Sequence, residues 1–400
     1  MSVRKVIAVI ASAVTAATLG LGLTAGSAGA ATPPPQPDHG GPGGSLPLRA
    51  DPGAVFLQTN DAGGNAVIAF ARGDDGRLSQ LASYPTGGNG ATQPGAVVDP
   101  VASQGSLTYD RQHRLLYAVN GGSNTITVFA VHGPRLHRVQ VLPSGGQLPV
   151  SVGHSGDLVY VLNAGGDGAI QGFRVRGERL HAIAGSTRSL GLGNPAAPNF
   201  LASPSQVAVA PDGRAVIVAT KTHATLQVFP LNGGGRPAAA AVVTDTGAGT
   251  VPFALTFDAA GRLQVADATG GAYSYAVHHD GTLDPVSPFV ANGQAATCWS
   301  VNAQGYLYVA NAGSSTITGY RTDAAGQLAL LDPSGVSAHT DAGPIDLAAS
   351  GDGRFLYQHA AAAGAIDEFR VGADGSLTLI GTVAGLPVDN GSGPEGIAAN

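Results

Sequence analysis

Leu307-Tyr-Val-Ala-Asn-Ala-Gly-Ser-Ser-Thr-Ile-Thr-Gly-Tyr320 is the stretch that decides the fold, because it recurs along the chain. LYAVNGGSNTITVF runs from Leu116 to Phe129, VYVLNAGGDGAIQGF from Val159 to Phe173, and VIVATKTHATLQVF from Val216 to Phe229. LQVADATGGAYSY follows from Leu263 to Tyr275 and LYQHAAAAGAIDEF from Leu356 to Phe369, while a looser copy, VFLQTNDAGGNAVIAF, spans Val55 to Phe70. The closing aromatics of these seven copies are 59, 44, 56, 46, 45 and 49 residues apart, near the roughly 40 to 50 residues of a propeller blade. Each copy reads as two apolar strands around a polar turn. An apolar segment and a turn precede most copies, as at Asp212-Gly213 and Asp352-Gly353, and a second turn with a short strand follows most, as at Asp374-Gly375. Asp-Gly supplies the positive backbone angles of tight hairpins. Four strands per repeat make a blade.

The ends of the chain complete the pattern. The first repeat lacks its upstream strand, and an orphan one, Pro394-Glu-Gly-Ile-Ala-Ala-Asn400, sits at the C-terminus. The expectation is an all-β, seven-bladed β-propeller with four-stranded blades, its ring closed by the C-terminal strand completing the first blade and leaving no open edge there. Composition agrees, since 60 Gly, 26 Pro and only 12% charged residues suit short strands and tight turns, not amphipathic helices.

Arg4 and Lys5 precede an apolar run from Val6 to about Ala25, and small residues end at Ala28-Gly29-Ala30. This is the pattern of a secretory signal peptide over 1–30 cleaved near Ala30, followed by a Pro/Gly-rich disordered leader over 31–50 and a single domain over 51–400. The protein is expected to be secreted, free of the membrane after cleavage, and monomeric. Formal charge is −6, or −8 without Arg4 and Lys5, and with no basic cluster this argues against nucleic acid. The lone Cys298 permits no internal disulfide and reads as a small core hydrophobe. No metal-ligand spacing or nucleotide-binding glycine motif appears, so no metal or cofactor is expected.

Segments of the form Pro-x-x-apolar-Ala-x-x-x-Asp-Gly-Arg-x-apolar-Tyr-Val-x-Asn resemble the lactonase family of propellers, which includes 6-phosphogluconolactonase and carboxymuconate-cyclising enzymes, over about residues 54 to 400. They are also similar to the Tyr-Val-Thr-Asn repeats of surface-layer propellers. The lactonase resemblance implies an active site at the channel mouth, where His, Arg and Glu residues of the segments that open each blade handle a sugar lactone. The chain departs there, with Pro204-Ser205-Gln206 and Pro252-Phe253-Ala254 in place of His and Arg-His; Asp346 and Glu395 keep titratable groups in such positions.

The repeat alignment places Asn60, Asn120, Asn163, Thr220, Asp267 and Asn311 at the ends of second strands on one rim, and Arg188 in a rim loop. Asn120, Asn163, Asp267, Asn311 and Arg188 are the candidate ligand-binding residues. Exceptions to the repeat supply the catalytic candidates. Lys221, the only lysine beyond Lys5, and His223 replace small residues in the fourth copy; His359 replaces Ala in the seventh, placed near Asp346 by blade logic. Opening a lactone needs a base to activate water and a donor for the developing oxyanion. His223 or His359 would be the base, Lys221 the carbonyl partner, and Asp346 or Glu395 the orienting carboxylate. Sparse rim arginine argues against a phosphorylated substrate. The long segments 83–103 and 185–203 have the length to fold over the rim. Two functions follow: hydrolysis of a small lactone, or non-catalytic binding of a carbohydrate, a small ligand or an extracellular protein through the rim loops.

Overall fold

The computed structural model describes residues 53–388 and 393–400; the expected signal peptide (1–30) and leader (31–50) lie outside them. Seven antiparallel sheets follow one another along the chain. Blade 2, for example, runs Leu107–Asp110, Leu115–Asn120, Thr125–His132 and Arg135–Pro143 from the channel outwards. Blades 3 and 6 each gain a two-residue strand, Arg188–Ser189 and Ala338–His339, beside their third strand. A 3₁₀ turn, Lys221–His223, interrupts the fourth blade.

Burial sorts the strands. Second strands such as Leu115–Asn120 and Phe355–Ala360 are buried at every residue, because neighbouring blades cover both faces and an unbroken apolar run is then favoured. Outer strands such as Leu377–Val383 lie largely in contact with solvent. Hydrophobic contact between blades therefore forms the core, a ring of separate apolar clusters.

The repeated tyrosine has a reason. Tyr308 of blade 6 donates its hydroxyl to the Gly375 carbonyl in the outer turn of blade 7 (2.8 Å), and Tyr357 of blade 7 does the same to Gly76 of blade 1 (2.8 Å). Tyr160 of blade 3 reaches Gly235 of blade 4 (2.5 Å). Each ring fills the space between blades, and its hydroxyl satisfies a turn carbonyl that would otherwise be buried unpaired. Gly76 must be glycine twice over: its φ is +92°, and an added Cβ would come within 2.2 Å of Phe355.

The C-terminus closes the ring. Ile397–Ala399 is the innermost strand of blade 1, with Leu57 opposite Ile397 and Val55 opposite Ala399. Further out, Glu395 N donates to Gln58 O (2.8 Å) and the Ala54 amide to Asn400 Oδ1 (2.6 Å).

Candidate active site at the plugged channel mouth

The inner strands surround a central channel with space of about 920 Å³ lined by Gln104, Ser300, Asp346 and Ile397 among others. At the rim these strands do not run straight. Pairing slips by one residue at Val150, Phe253, Cys298 and Asp346, in blades 3, 5, 6 and 7. A bulge turns its extra side chain out of the alternation of the strand, and all four residues are buried at the mouth.

The segment 99–105 lies across this mouth and ties four blades together. Gln104 Nε2 donates to Ser300 O (2.7 Å) while its Oε1 accepts Ser300 N (2.8 Å), and Trp299 Nε1 donates to Ser103 O (2.9 Å). Ser151 Oγ donates to Gln104 O (2.7 Å), and Gln104 N to Ser205 O (3.2 Å). The two long loops also hold each other: Asn199 Nδ2 donates to Pro94 O (3.1 Å) and Ser203 Oγ to Gln93 Oε1 (2.9 Å). They cover the rim, so the mouth is plugged by the chain itself.

Inside the plug sits a buried charge cluster. Asp99 accepts the amides of Ala102 (2.6 Å) and Ser103 (3.0 Å). Glu395 accepts Val101 N (2.8 Å) and faces the Ser103 hydroxyl (3.0 Å), and it is hydrogen-bonded to Asp99. Burial raises both carboxyls; at Glu395 the charge of Asp99 and the hydrogen bond with it add to the rise, while at Asp99 Glu395 and Lys221 oppose it. Lys221 Nζ donates to Ala102 O (2.7 Å) and to Ser203 Oγ (2.8 Å) and stands 5.6 Å from the centre of the Phe253 ring. Burial lowers its pKa to about 7, opposed by Asp99, Cys298 and Glu395. Its backbone is left-handed, φ 50°, as is that of Ala102 and Asp346; such strain in non-glycine residues gathers at functional sites.

Beside this cluster lies a small pocket of about 40 Å³. Val97, Phe200, Leu201, Val251, Phe253 and Trp299 make most of its wall, and Lys221 and Asp99 are the only charged residues lining it.

The remaining candidates fall elsewhere. Asp346 accepts Leu347 N (3.0 Å) and Ile397 N (3.2 Å), and burial, with a contribution from Asp99, pushes its pKa up to about 7. His359, paired across the sheet with Ile345, is wholly buried, finds no hydrogen-bond partner for either ring nitrogen among the described residues, and is driven down to about 3 by burial alone. It has no carboxylate to orient it. His223 shares the turn with Lys221 and is half-buried, its Nε2 unpartnered among the described residues.

Asn120 donates to Thr125 and Thr127 and accepts from Asn65, and Asn163 donates to Ser144 O. Asn311 is bonded to Thr297, Asn292, Thr316 and Thr318. Asp267 accepts Val251 N and Thr269, and Arg188 holds the carbonyls of Ala238, Pro237 and Gly185. In each, the hydrogen bonds made go into the blade ends and loops; Asn163 Oδ1 alone of these finds no partner among the described residues. Asp99, Ser103, Ser203 and Trp299 were not singled out by the repeat, since three lie in loops outside it. The signal that points to the mouth is the residue after the Pro opening a blade: Val150, Ser205, Phe253 and Glu395. No three His, Cys, Asp or Glu side chains among the described residues could hold a metal ion.

This geometry has counterparts among solved structures. A Bacteroides fragilis protein described as a candidate 6-phosphogluconolactonase superposes with a TM-score of 0.66 at 17% identity, covering 89% of this chain and 100% of its own. Its Bacteroides uniformis counterpart gives 0.65 at 18% identity, with 88% and 100% covered. The chain has the lactonase-like propeller fold. The Pseudomonas aeruginosa periplasmic gluconolactonase matches this lactonase-like propeller with a TM-score of 0.60 at 19% identity over 84% of the chain and 98% of its own. No family model matches the sequence and no curated protein does. At such identities the likeness defines the propeller and leaves its chemistry to the residues at the mouth.

Proposed function

We propose that this chain is an exported, monomeric propeller whose mouth pocket binds a small, mainly apolar molecule carrying a carbonyl group, aliphatic lactones included. The observation that carries this reading is the wall of the pocket: hydrophobic and aromatic side chains with one lysine ammonium to meet an electron-rich oxygen. A polyhydroxylated sugar lactone would leave its hydroxyls unpaired against Val97, Val251 and Phe253, at about 1–3 kcal/mol for each buried group. Export is supported by Arg4 and Lys5 ahead of the apolar run. It is also supported by the likeness to a periplasmic gluconolactonase. Among the described residues no helix is long and apolar enough to cross a membrane.

Hydrolysis is the second reading, favoured by Lys221 and Asp99 standing in one wall of a lactonase-like ring. Against it, neither His223 nor His359, the candidate bases, lines this pocket. Trp299, the only tryptophan, lines the pocket, so its fluorescence reports occupancy. Titration with medium-chain γ- and δ-lactones should change it saturably, and gluconolactone should not. Equal response to both would refute the apolar assignment, and base uptake in a pH-stat above buffer on any lactone would establish turnover.

A further inference from the structure

We infer that Lys221 captures small apolar aldehydes or ketones in the mouth pocket as a Schiff base. The inference rests on the pocket being a binding site and adds a covalent step to it.

Nζ has two hydrogen-bond partners among the described residues. Its two partners both accept: Ala102 offers a carbonyl, and the Ser203 hydroxyl donates its own proton onwards to Gln93 Oε1 or Phe200 O. A neutral amine has two N–H groups and one lone pair. Ala102 and Ser203 take the two hydrogens, which leaves the lone pair at the third tetrahedral position. The described residues place no acceptor or donor there, and Lys221 is part of the pocket wall. The side chain is only 1% exposed, so a reagent reaches Nζ through the pocket. An amine desolvated in apolar surroundings is the usual form of a Schiff-base lysine, and burial with the opposing influence of Asp99, Cys298 and Glu395 holds this one near pH 7.

The acid–base partner is at hand. The lone pair of Nζ attacks the carbonyl carbon; the C–N bond forms, the carbonyl π pair moves to oxygen, and that oxygen takes one of the two protons now on nitrogen, passed through the Asp99 carboxyl in the pocket wall. The nitrogen of the resulting carbinolamine then gives its remaining proton to Asp99. Asp99 passes that proton to the hydroxyl, which leaves as water while nitrogen forms the C=N bond. One carbonyl compound and one amine give one imine and one water, with no oxidant or reductant. The apolar wall favours the dehydrated product, since bulk water is kept from the imine carbon.

The test uses the full chain, hexanal as probe and sodium cyanoborohydride to fix the imine, with intact mass, peptide mapping and Trp299 fluorescence read in parallel. The sequence has only Lys5 and Lys221, so a hexyl group on the peptide containing Lys221 is unambiguous, and the N-terminal amine maps separately. The neutral fraction of an amine near pKa 7 exceeds that of an ordinary lysine by about three orders of magnitude at pH 7. Labelling at pH 7 should therefore be at least ~100-fold faster in the folded protein than in urea. Ala312→Leu, which narrows the pocket and spares the amine, should suppress it. Lys221→Arg should abolish the adduct. A Trp299 response without alkylation of Lys221 would overturn the Schiff base and leave the pocket intact. Loss of both signals would overturn the pocket reading as well. Labelling equal in folded and urea-unfolded protein, or indifferent to Ala312→Leu, would also overturn the inference, because it would be ordinary amine chemistry.

Discussion

Replacing Lys221 by Met removes a buried charge and keeps an unbranched chain of similar length, so it isolates what that charge does to stability. The folded protein holds the amine near pH 7, against 10.5 for a free lysine. Between those values the unfolded chain carries a proton that the folded chain refuses, so wild-type stability rises with pH across that window and the penalty is complete below it. From pH 7 to about 9.5 the gain is about 3 kcal/mol, at about 1.4 kcal/mol per unit. Glu395 acts in the opposite sense. Its pKa is raised in the fold, so its contribution is present at low pH and is lost as pH rises through the folded value. Lys221→Met retains the second effect and loses the first. Urea unfolding followed by Trp299 fluorescence should show wild type gaining on the variant by a few kcal/mol between pH 7 and 9.5. Parallel stability curves over that range would refute the depressed amine and, with it, the electrostatics of the plug.

Other consequences are simpler to test. Tyr357→Phe deprives the Gly76 carbonyl of its donor at the closing seam and should cost about 1–2 kcal/mol in calorimetry. Tyr308→Phe should cost a similar amount, since the same bond recurs one blade earlier. Gly76→Ala combines left-handed backbone with a Cβ driven against Phe355; a loss of at least ~2 kcal/mol is expected in urea unfolding. Burial pushes the Cys298 thiol up, away from its reactive thiolate, so iodoacetamide should label it in urea and leave it unmodified in the folded protein at pH 8. A chain ending at residue 393 lacks the inner strand of blade 1 and Glu395 beneath the plug; it should lose the cooperative thermal transition, and an unchanged midpoint would contradict closure by that strand.

The period of the Leu-Tyr-Val-Ala-Asn repeat determined the architecture by itself. Seven copies, a turn on either side of most of them, and an orphan strand opposite a missing one leave few ways to bury both faces of every sheet. Closure between Leu57 and Ile397 follows from that count. Lys221 was legible as well, because a lysine in place of a small residue breaks the pattern. What surrounds it was not. Asp99, Ser103 and Ser203 belong to loops without a repeat, and their meeting with Glu395 and Lys221 brings together residues nearly 300 positions apart. His359 and Asp346 illustrate the same limit: adjacent strands bring their backbones together, but burial alone sets the histidine, while the bulge turns Asp346 toward the Leu347 and Ile397 amides. Local periodicity fixes which strands pair; the direction of a side chain at a bulge, and the path of a long loop across a channel, depend on contacts made only once the ring has closed.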